Sequence, residues 1–584
     1  MISKICVYTR PVDPECYPEG LANSIHLAYC GEDGTKQPLN KNYGILFAKG
    51  LISENNTIVP MGVRNPLIFA MPDGTIGFCA ERIHENGQPD ESMTGKLLLW
   101  KTKDLIHFDE EQIVDRGEIM QYHPAEFIEC RESGDEEKHR DGADSGTNAR
   151  IENRIARDVI RYWSPVFLEK IDIPERVTVA AGTTTTDEAA KPEAAETQAG
   201  LGKLPYLENI KARLVYSDGS IRYKKVHWDT EGIDSKDSKE YEIKGHIRRQ
   251  TFDFPLAKGY GDPVVFRWEG KWYYISTNDN LNDIGLYARE ADDVHGLFAD
   301  GVTEHLILPF DPERGLEQTF WAPEFHVIGG ELYILFAVSG HMWGPQCHMM
   351  RKKPGASIID PDSWEDPVRV ARKDGRPLAE GPITLDMTYV KADSGSYVIW
   401  SYRENIGTPR DSGSMLYIAA IDEKEPWKLT SEPVLLTRPL YGWENVSGTI
   451  NNEGPYAFIR DGKVYVTYSG GAANGYTYAL GLLTAETGAD LLDKRAWKKS
   501  ITPVLTFYSV DGEYGPGHNS FFENEEGELM IAYHAETDIK EHLRCDGIRR
   551  VHFRYDGTPY FGMAAADDVG ETQVGTILVR CSDM

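Results

Sequence analysis

At 584 residues the chain is too long for one ordinary hydrophobic core and calls for roughly two to four domains. Its 92 acidic against 62 basic residues leave a formal net charge of -30, which argues against nucleic acid or an anionic membrane surface as partner. Hydrophobic residues at 41% suffice for packed cores, 55 glycines and 32 prolines fit a turn-rich, mainly β chain, and no apolar stretch reaches the about 18 residues that span a bilayer.

The eight cysteines (Cys6, Cys16, Cys30, Cys79, Cys130, Cys347, Cys545, Cys581) are scattered and form no CxxC pair. That spacing argues against zinc and against a disulfide framework, and free buried thiols are expected. The opening Met-Ile-Ser-Lys-Ile-Cys lacks the apolar run of a signal peptide, so a cytoplasmic location is expected.

Taken in order, residues 24–29, 43–47 and 65–69 are short strand candidates, followed by a Pro72-Asp73-Gly74 turn and strands at 75–80 and 96–100. Asn65-Pro66 heads this unit. An amide neither ionises nor takes a proton from water, so the unit reads as structural or substrate-contacting. Polar tracts at 131–150 and 183–203 lack the apolar surface to fold alone and read as linkers. Around them, alternating strands at 176–181, 212–216, 223–228 and 241–245, with a Ser217-Asp218-Gly219 turn, read as a small β-sandwich. This stretch resembles bacterial immunoglobulin-like modules, which implies a spacer, with carbohydrate binding as the alternative.

From residue 255 the units become regular. Gly261-Asp262-Pro263 opens an apolar strand, Glu269-Gly270-Lys271 turns it, and an aromatic strand returns. Asp262, Glu324, Asp386, Glu453 and His518 head successive units at intervals of 62, 62, 67 and 65 residues. Five β-meanders at one period read as a β-propeller, whose innermost strands bring equivalent positions to one end of the channel. Crowded carboxylates shift one another's pKa values, so five ionisable heads in phase read as a site, not as solvated turns. The expected fold is all-β: a five-bladed β-propeller over 251–584, an N-terminal β-blade-like region over 1–130 and an immunoglobulin-like β-sandwich over 131–250.

Asp262-Pro263, Trp321-Ala322-Pro323-Glu324, Leu385-Asp386-Met387-Thr388, Glu453-Gly454-Pro455-Tyr456 and Gly517-His518-Asn519-Ser520 resemble, in order and spacing, the motifs of glycoside hydrolase family 43. The resemblance covers about 255–565 and implies hydrolysis with inversion of α-L-arabinofuranosides or β-D-xylosides. It implies Asp262 as general base, Glu453 as general acid and Asp386 as the residue that tunes and orients Glu453. An inverting enzyme needs two carboxyl groups about 6.5–9.5 Å apart to admit a water, and its acid must stay protonated near neutrality. Glu380-Gly381-Pro382 is a second motif of the acid type, out of phase with the repeat.

His518 resembles the family histidine near the propeller axis that contacts calcium, directly or through water; the alternative is a hydrogen-bonded loop histidine. No EF-hand loop is present, so any ion would be held largely by water, and no cofactor is required. Arg544 resembles the family arginine that reaches substrate, with Arg549 and Arg550 as rivals. Trp321 and Phe320 read as a sugar-stacking platform or as core. Glu324 reads as holding its loop. The expected function is an exo-acting α-L-arabinofuranosidase that trims small imported oligosaccharides. The rivals are a β-D-xylosidase and a non-catalytic carbohydrate-binding propeller.

Overall fold

The structure, a computed structural model, describes residues 3–31, 35–121, 146–174, 176–180, 207–231, 240–570 and 572–582. Five four-stranded antiparallel sheets follow one another between Ala257 and Arg550. Their innermost strands are Tyr260–Trp268, Gln318–Ile328, Ile383–Ala392, Asn452–Arg460 and Tyr514–Glu523. Each of these strands neighbours the next, and the fifth neighbours the first, so the sheets are the blades of a closed five-bladed propeller. Closure comes from Ala257–Lys258, which pairs with Cys545–Arg550 and supplies the outermost strand of the fifth blade.

Local chemistry explains the hairpins. In three blades the first turn is two residues long with both in the left-handed region: Glu269-Gly270, Gly329-Gly330 and Asp461-Gly462. These are type I′ turns, whose twist matches that of the strands they join. Blade faces carry the core. Tyr333, Leu335 and Met349 of the second blade pack on Met387, Val398 and Trp400 of the third, all within 2% of full burial. Trp272 and Tyr274 of the first meet Phe522 and Met530 of the fifth. Burying side chains of this size contributes about 1.5–3 kcal/mol each.

Each innermost strand carries a β-bulge near its start with a residue in the left-handed region, Asp262 (φ 59), Ala322 (φ 44), Asp386 (φ 53), Gly454 (φ 56) or His518 (φ 38). The second and fifth strands have an earlier shift, with Thr319 (φ 55) and Gly515 (φ 57) in that region as well. A proline follows in three of the five, where the extra residue of the bulge owes the ladder no N–H. This frame corrects the expected phase. Asp262, Asp386 and His518 occupy the left-handed position, but Glu453 precedes it by one residue and Glu324 follows it by two.

The N-terminal region does not enter the ring. Strands Met61–Ala70, Ile76–His84, Lys96–Thr102 and Gln112–Asp115 form a separate blade-like sheet, with its own bulge at Asn65 (φ 52). A second sheet holds Gly146–Ile151, Ser3–Tyr8, His26–Cys30 and Lys36–Pro38. The strand Gly146–Ile151 belongs to a stretch expected to be linker; the rest of that tract, all of 183–203 and Cys130 lie outside the described residues. Helix Asn153–Trp163 lays Ala156, Val159 and Trp163 into the core between these sheets, at the spacing of one helical face. Residues 1–164 and 252–551 form one compact unit. Within it Tyr17, Tyr43 and Phe47 share a core with Trp443, Val466 and Tyr468 of the fourth-blade region.

The second unit comprises 165–251 and 552–584, which differs from the expected boundaries at 131, 251 and 584. It holds a three-stranded sheet and a four-stranded one on a shared core of Ala212, Leu214, Tyr216, Ile247 and Met563. The four-stranded sheet takes a central strand, Thr572–Ser582, from the far end of the chain, parallel to Arg176–Ala180 and antiparallel to Glu240–Arg248. The insert is therefore not the self-contained immunoglobulin-like sandwich that was expected. Among the described residues no helix is long and apolar enough to cross a membrane. Of the described free thiols Cys16 is exposed, against expectation, while Cys6, Cys30, Cys79, Cys347 and Cys545 are buried.

Removal of residues 571–584 strips a central strand from that sheet. Limited proteolysis should then cut rapidly within 165–251 and leave 257–550 resistant; equal resistance of both stretches would contradict this assembly.

Candidate active site

Asp262, Asp386 and His518 are brought together with Glu453 at the bulges of four innermost strands, and all but Glu453 are at least nine-tenths buried. Asp262 is the most heavily bonded. Its Oδ1 faces His518 Nδ1 at 3.0 Å and accepts from Arg544 Nη1 at 3.1 Å, while Oδ2 accepts from the Thr277 hydroxyl at 2.5 Å. Burial alone would raise the pKa of Asp262; His518 and Arg544 overcome it and hold the carboxyl well below the usual range.

His518 shows the reciprocal effect. Burial opposes its charge, but Asp262 and Asp386 prevail and raise its pKa to about 9, so it is an imidazolium at neutral pH. Asp386 accepts from Ser401 Oγ at 3.1 Å and from the Gly454 N–H at 3.0 Å, through the same oxygen. Its pKa is raised, first by burial and then by Asp262, against the pull of His518. Glu453 accepts from the Tyr478 hydroxyl at 2.9 Å. Burial and then Asp386 push its pKa up to about 7. The site thus holds one carboxyl firmly ionised and another half protonated at neutrality, the division of labour of a general base and a general acid.

The remaining expected residues fall out as follows. Arg544 is pinned by Asp262 and by both oxygens of Asp279, with Nε donating to Oδ2 at 2.9 Å, so the arginine acts on Asp262. Its rival Arg549 is paired with Glu513 and Tyr533, and Arg550 is buried with Nη1 on the Val551 carbonyl. Phe320 is 1% exposed and belongs to the core, which corrects its reading as a platform. Trp321 is half-buried, its Nε1 donating to Asp283 Oδ2 at 2.8 Å, and remains available to a sugar face. Glu324 is buried against His326 at 2.5 Å, as befits a structural residue. Glu380 is exposed in the segment before the third innermost strand. Asn65 is exposed in its own sheet, bonded to Glu81.

Thr277, Ser401, Ser469, Tyr478, Asp279 and His534 were not among the expected residues. The signal for three of them was present: Thr277, Ser401 and Ser469 each pair with the residue that precedes a left-handed position, and each interrupts an apolar second strand. Among the described residues no three His, Cys, Asp or Glu side chains converge as a metal site, and His518 Nδ1 is committed to Asp262.

Gly454 is fixed by two constraints: φ +56, and the His518 ring, whose Cγ would lie 2.8 Å from an added Cβ. Gly454→Ala should lower stability by about 1–3 kcal/mol, read from urea unfolding. An unchanged midpoint would contradict the packing described.

Comparison with known proteins gives a consistent picture. The model of glycosyl hydrolases family 43 matches residues 252–559. The chain is 31% identical over 330 residues to the extracellular exo-α-(1→5)-L-arabinofuranosidase of Streptomyces avermitilis, covering 55% of this chain and 65% of that protein. It is 32% identical over 294 residues to the protein of the same name from Streptomyces chartreusis, covering 49% and 83%. It is 29% identical over 331 residues to α-L-arabinofuranosidase B of Pyricularia oryzae, covering 54% and 64%. The chain thus spans less than two thirds of the length of two of these three relatives.

Proposed function

The chain belongs to glycosyl hydrolases family 43, and we propose that it is an inverting exo-α-L-arabinofuranosidase acting on small arabinose-containing oligosaccharides. The observation that carries the reading is the opposed electrostatics of two carboxyls on one ring: Asp262 ionised, Glu453 near half protonation. Glu453 donates its proton to the leaving glycosidic oxygen. Asp262 receives the proton of the attacking water on the opposite face of the sugar. Its low basicity suffices because the transition state resembles an oxocarbenium ion, in which the water is still largely intact. Asp386 keeps Glu453 protonated by its charge and holds the adjoining backbone through the Gly454 N–H. Trp321 serves as an aromatic face for the sugar. A non-catalytic binding propeller has no use for such a pair, and β-D-xylosidase activity is the alternative within the same site.

Calcium stays a proposal in the form expected, an ion held largely by water near His518; EDTA should then lower Tm and added Ca²⁺ restore it, and an unmoved Tm removes the ion. The cytoplasmic location also remains a proposal. Two relatives are named as extracellular enzymes, so cell fractionation decides it.

Asp262→Asn and Glu453→Gln should each lower kcat on an aryl arabinofuranoside by roughly 10²–10⁴-fold, and proton NMR should show the inverted anomer first. Near wild-type turnover or a retained anomer would overturn the assignment. The pH profile gives a separate check. Glu453 is the acid only while protonated, so kcat/KM should fall as pH rises through about 7. Asp386→Asn removes a charge that raises Glu453, so this alkaline limb should move to lower pH.

A further inference from the structure

Two buried side chains that the proposed chemistry does not use lie between its acid and its base. Tyr478 is fully buried in the segment that leads into the third strand of the fourth blade. His534 is 1% exposed on Leu529–Glu536, the second strand of the fifth. Their rings stack with centroids 5.5 Å apart and planes within 4°. Gly517 makes the stack possible: a Cβ there would come within 2.2 Å of Tyr478 Cδ1.

The outer ends of this stacked pair are both committed. The Tyr478 hydroxyl donates to Glu453 Oε1 at 2.9 Å. His534 Nδ1 accepts the Asp262 backbone N–H at 3.1 Å, and Nε2 donates to the Ala473 carbonyl at 3.0 Å. That pattern requires the neutral Nε2–H tautomer, in keeping with burial, which lowers the pKa of His534. Ala473 lies five residues before Tyr478 in the same loop, so the imidazole grips that loop at two points.

We propose that the stacked Tyr478–His534 pair is a positioning element that sets Glu453 and Asp262 relative to each other across the fourth, fifth and first blades. Tyr478 holds Oε1 of the acid as a hydrogen-bond acceptor, which leaves Oε2 to carry the transferable proton. His534 takes the N–H that the bulge at Asp262 leaves without a ladder partner and so fixes the direction of the base. The inference rests on the proposed roles of Asp262 and Glu453. Neither Tyr478 nor His534 exchanges a proton with substrate.

The test compares Tyr478→Phe, His534→Ala and His534→Asn with Asp262→Asn and Glu453→Gln, using pH profiles of kcat/KM on an aryl arabinofuranoside. The groups whose charge acts on Glu453 are Asp386, Asp262 and His518, and Tyr478→Phe touches none of them. Losing the hydroxyl removes the one hydrogen bond that favours ionised Glu453. The alkaline limb should therefore move to higher pH while kcat falls roughly tenfold and KM changes little. His534→Ala should lower kcat further. His534→Asn, whose Oδ1 replaces Nδ1 as acceptor for the Asp262 N–H, should recover part of that loss. An alkaline limb in Tyr478→Phe identical to wild type, or no difference between the Asn and Ala variants, overturns the inference. If instead Asp262→Asn and Glu453→Gln stay active, the assignment of acid and base has failed, and the positioning role falls with it.

Discussion

A buried N–H that has lost its ladder partner is the constraint on which this propeller depends. A β-bulge leaves one residue unpaired, and an unpaired amide buried in a core costs more than a hydrogen bond contributes. Here the neighbouring blade satisfies it. The N–H of Ala322 donates to Thr277 Oγ1 of the first blade, and that of Gly454 to Asp386 of the third. The N–H of His518 donates to Ser469 of the fourth blade, and that of Asp262 to His534 of the fifth. Four blade junctions are thus tied at one level by the same device. The residues that do the tying, and the residues that are tied, make up the site.

This arrangement explains how so much charge is tolerated at low exposure. Asp262, Asp386 and Glu453 face His518 and Arg544, and every carboxylate also accepts a hydrogen bond from a neutral donor. Removing either cation would leave Asp262 with one buried partner in place of two, at a cost in ion-pair stabilisation. The left-handed bulge residues store strain of order 1–3 kcal/mol each when they are not glycine. Asp262, Asp386 and His518 accept that strain where a glycine would relieve it, and each places its side chain in the shared space.

The period of the blades, the polar heads and the hairpin turns were legible in the sequence because each is local: Glu269-Gly270 and Asp461-Gly462 announce their turns without any tertiary context. The phase of the heads was not. A bulge changes register, and a one-residue shift between Asp386 and Glu453 looks like ordinary scatter in the interval until the strands are paired. Tyr478 and His534 were hidden for a related reason, since stacking across blades leaves no trace in spacing. Phe320 and Trp321 are adjacent aromatics in sequence, and only pairing separates the one in the core from the one at the surface. The strand Thr572–Ser582 was assigned to the propeller because nothing near it in sequence reveals its partner Glu240–Arg248, more than 300 residues earlier.

The Asn65 sheet separates the role of the motif from that of the ring. Arg64-Asn65-Pro66-Leu67 has the same bulge and the same left-handed residue as Gly261-Asp262-Pro263-Val264. Yet Asn65 is exposed and bonded within its own sheet, because no neighbouring blade closes on it. The motif is therefore a way of building a blade, and closure is what turns it into a site. The short pairing of Ala257–Lys258 with the last blade illustrates this directly. It brings the Gly259 N–H to the Arg544 carbonyl at 2.9 Å, and Gly261, lacking a Cβ, admits the Arg544 guanidinium beside it. The same two-residue pairing that shuts the propeller thus holds Arg544 beside Asp262, so closure supplies one of the two cations, after His518, that keep the proposed base ionised.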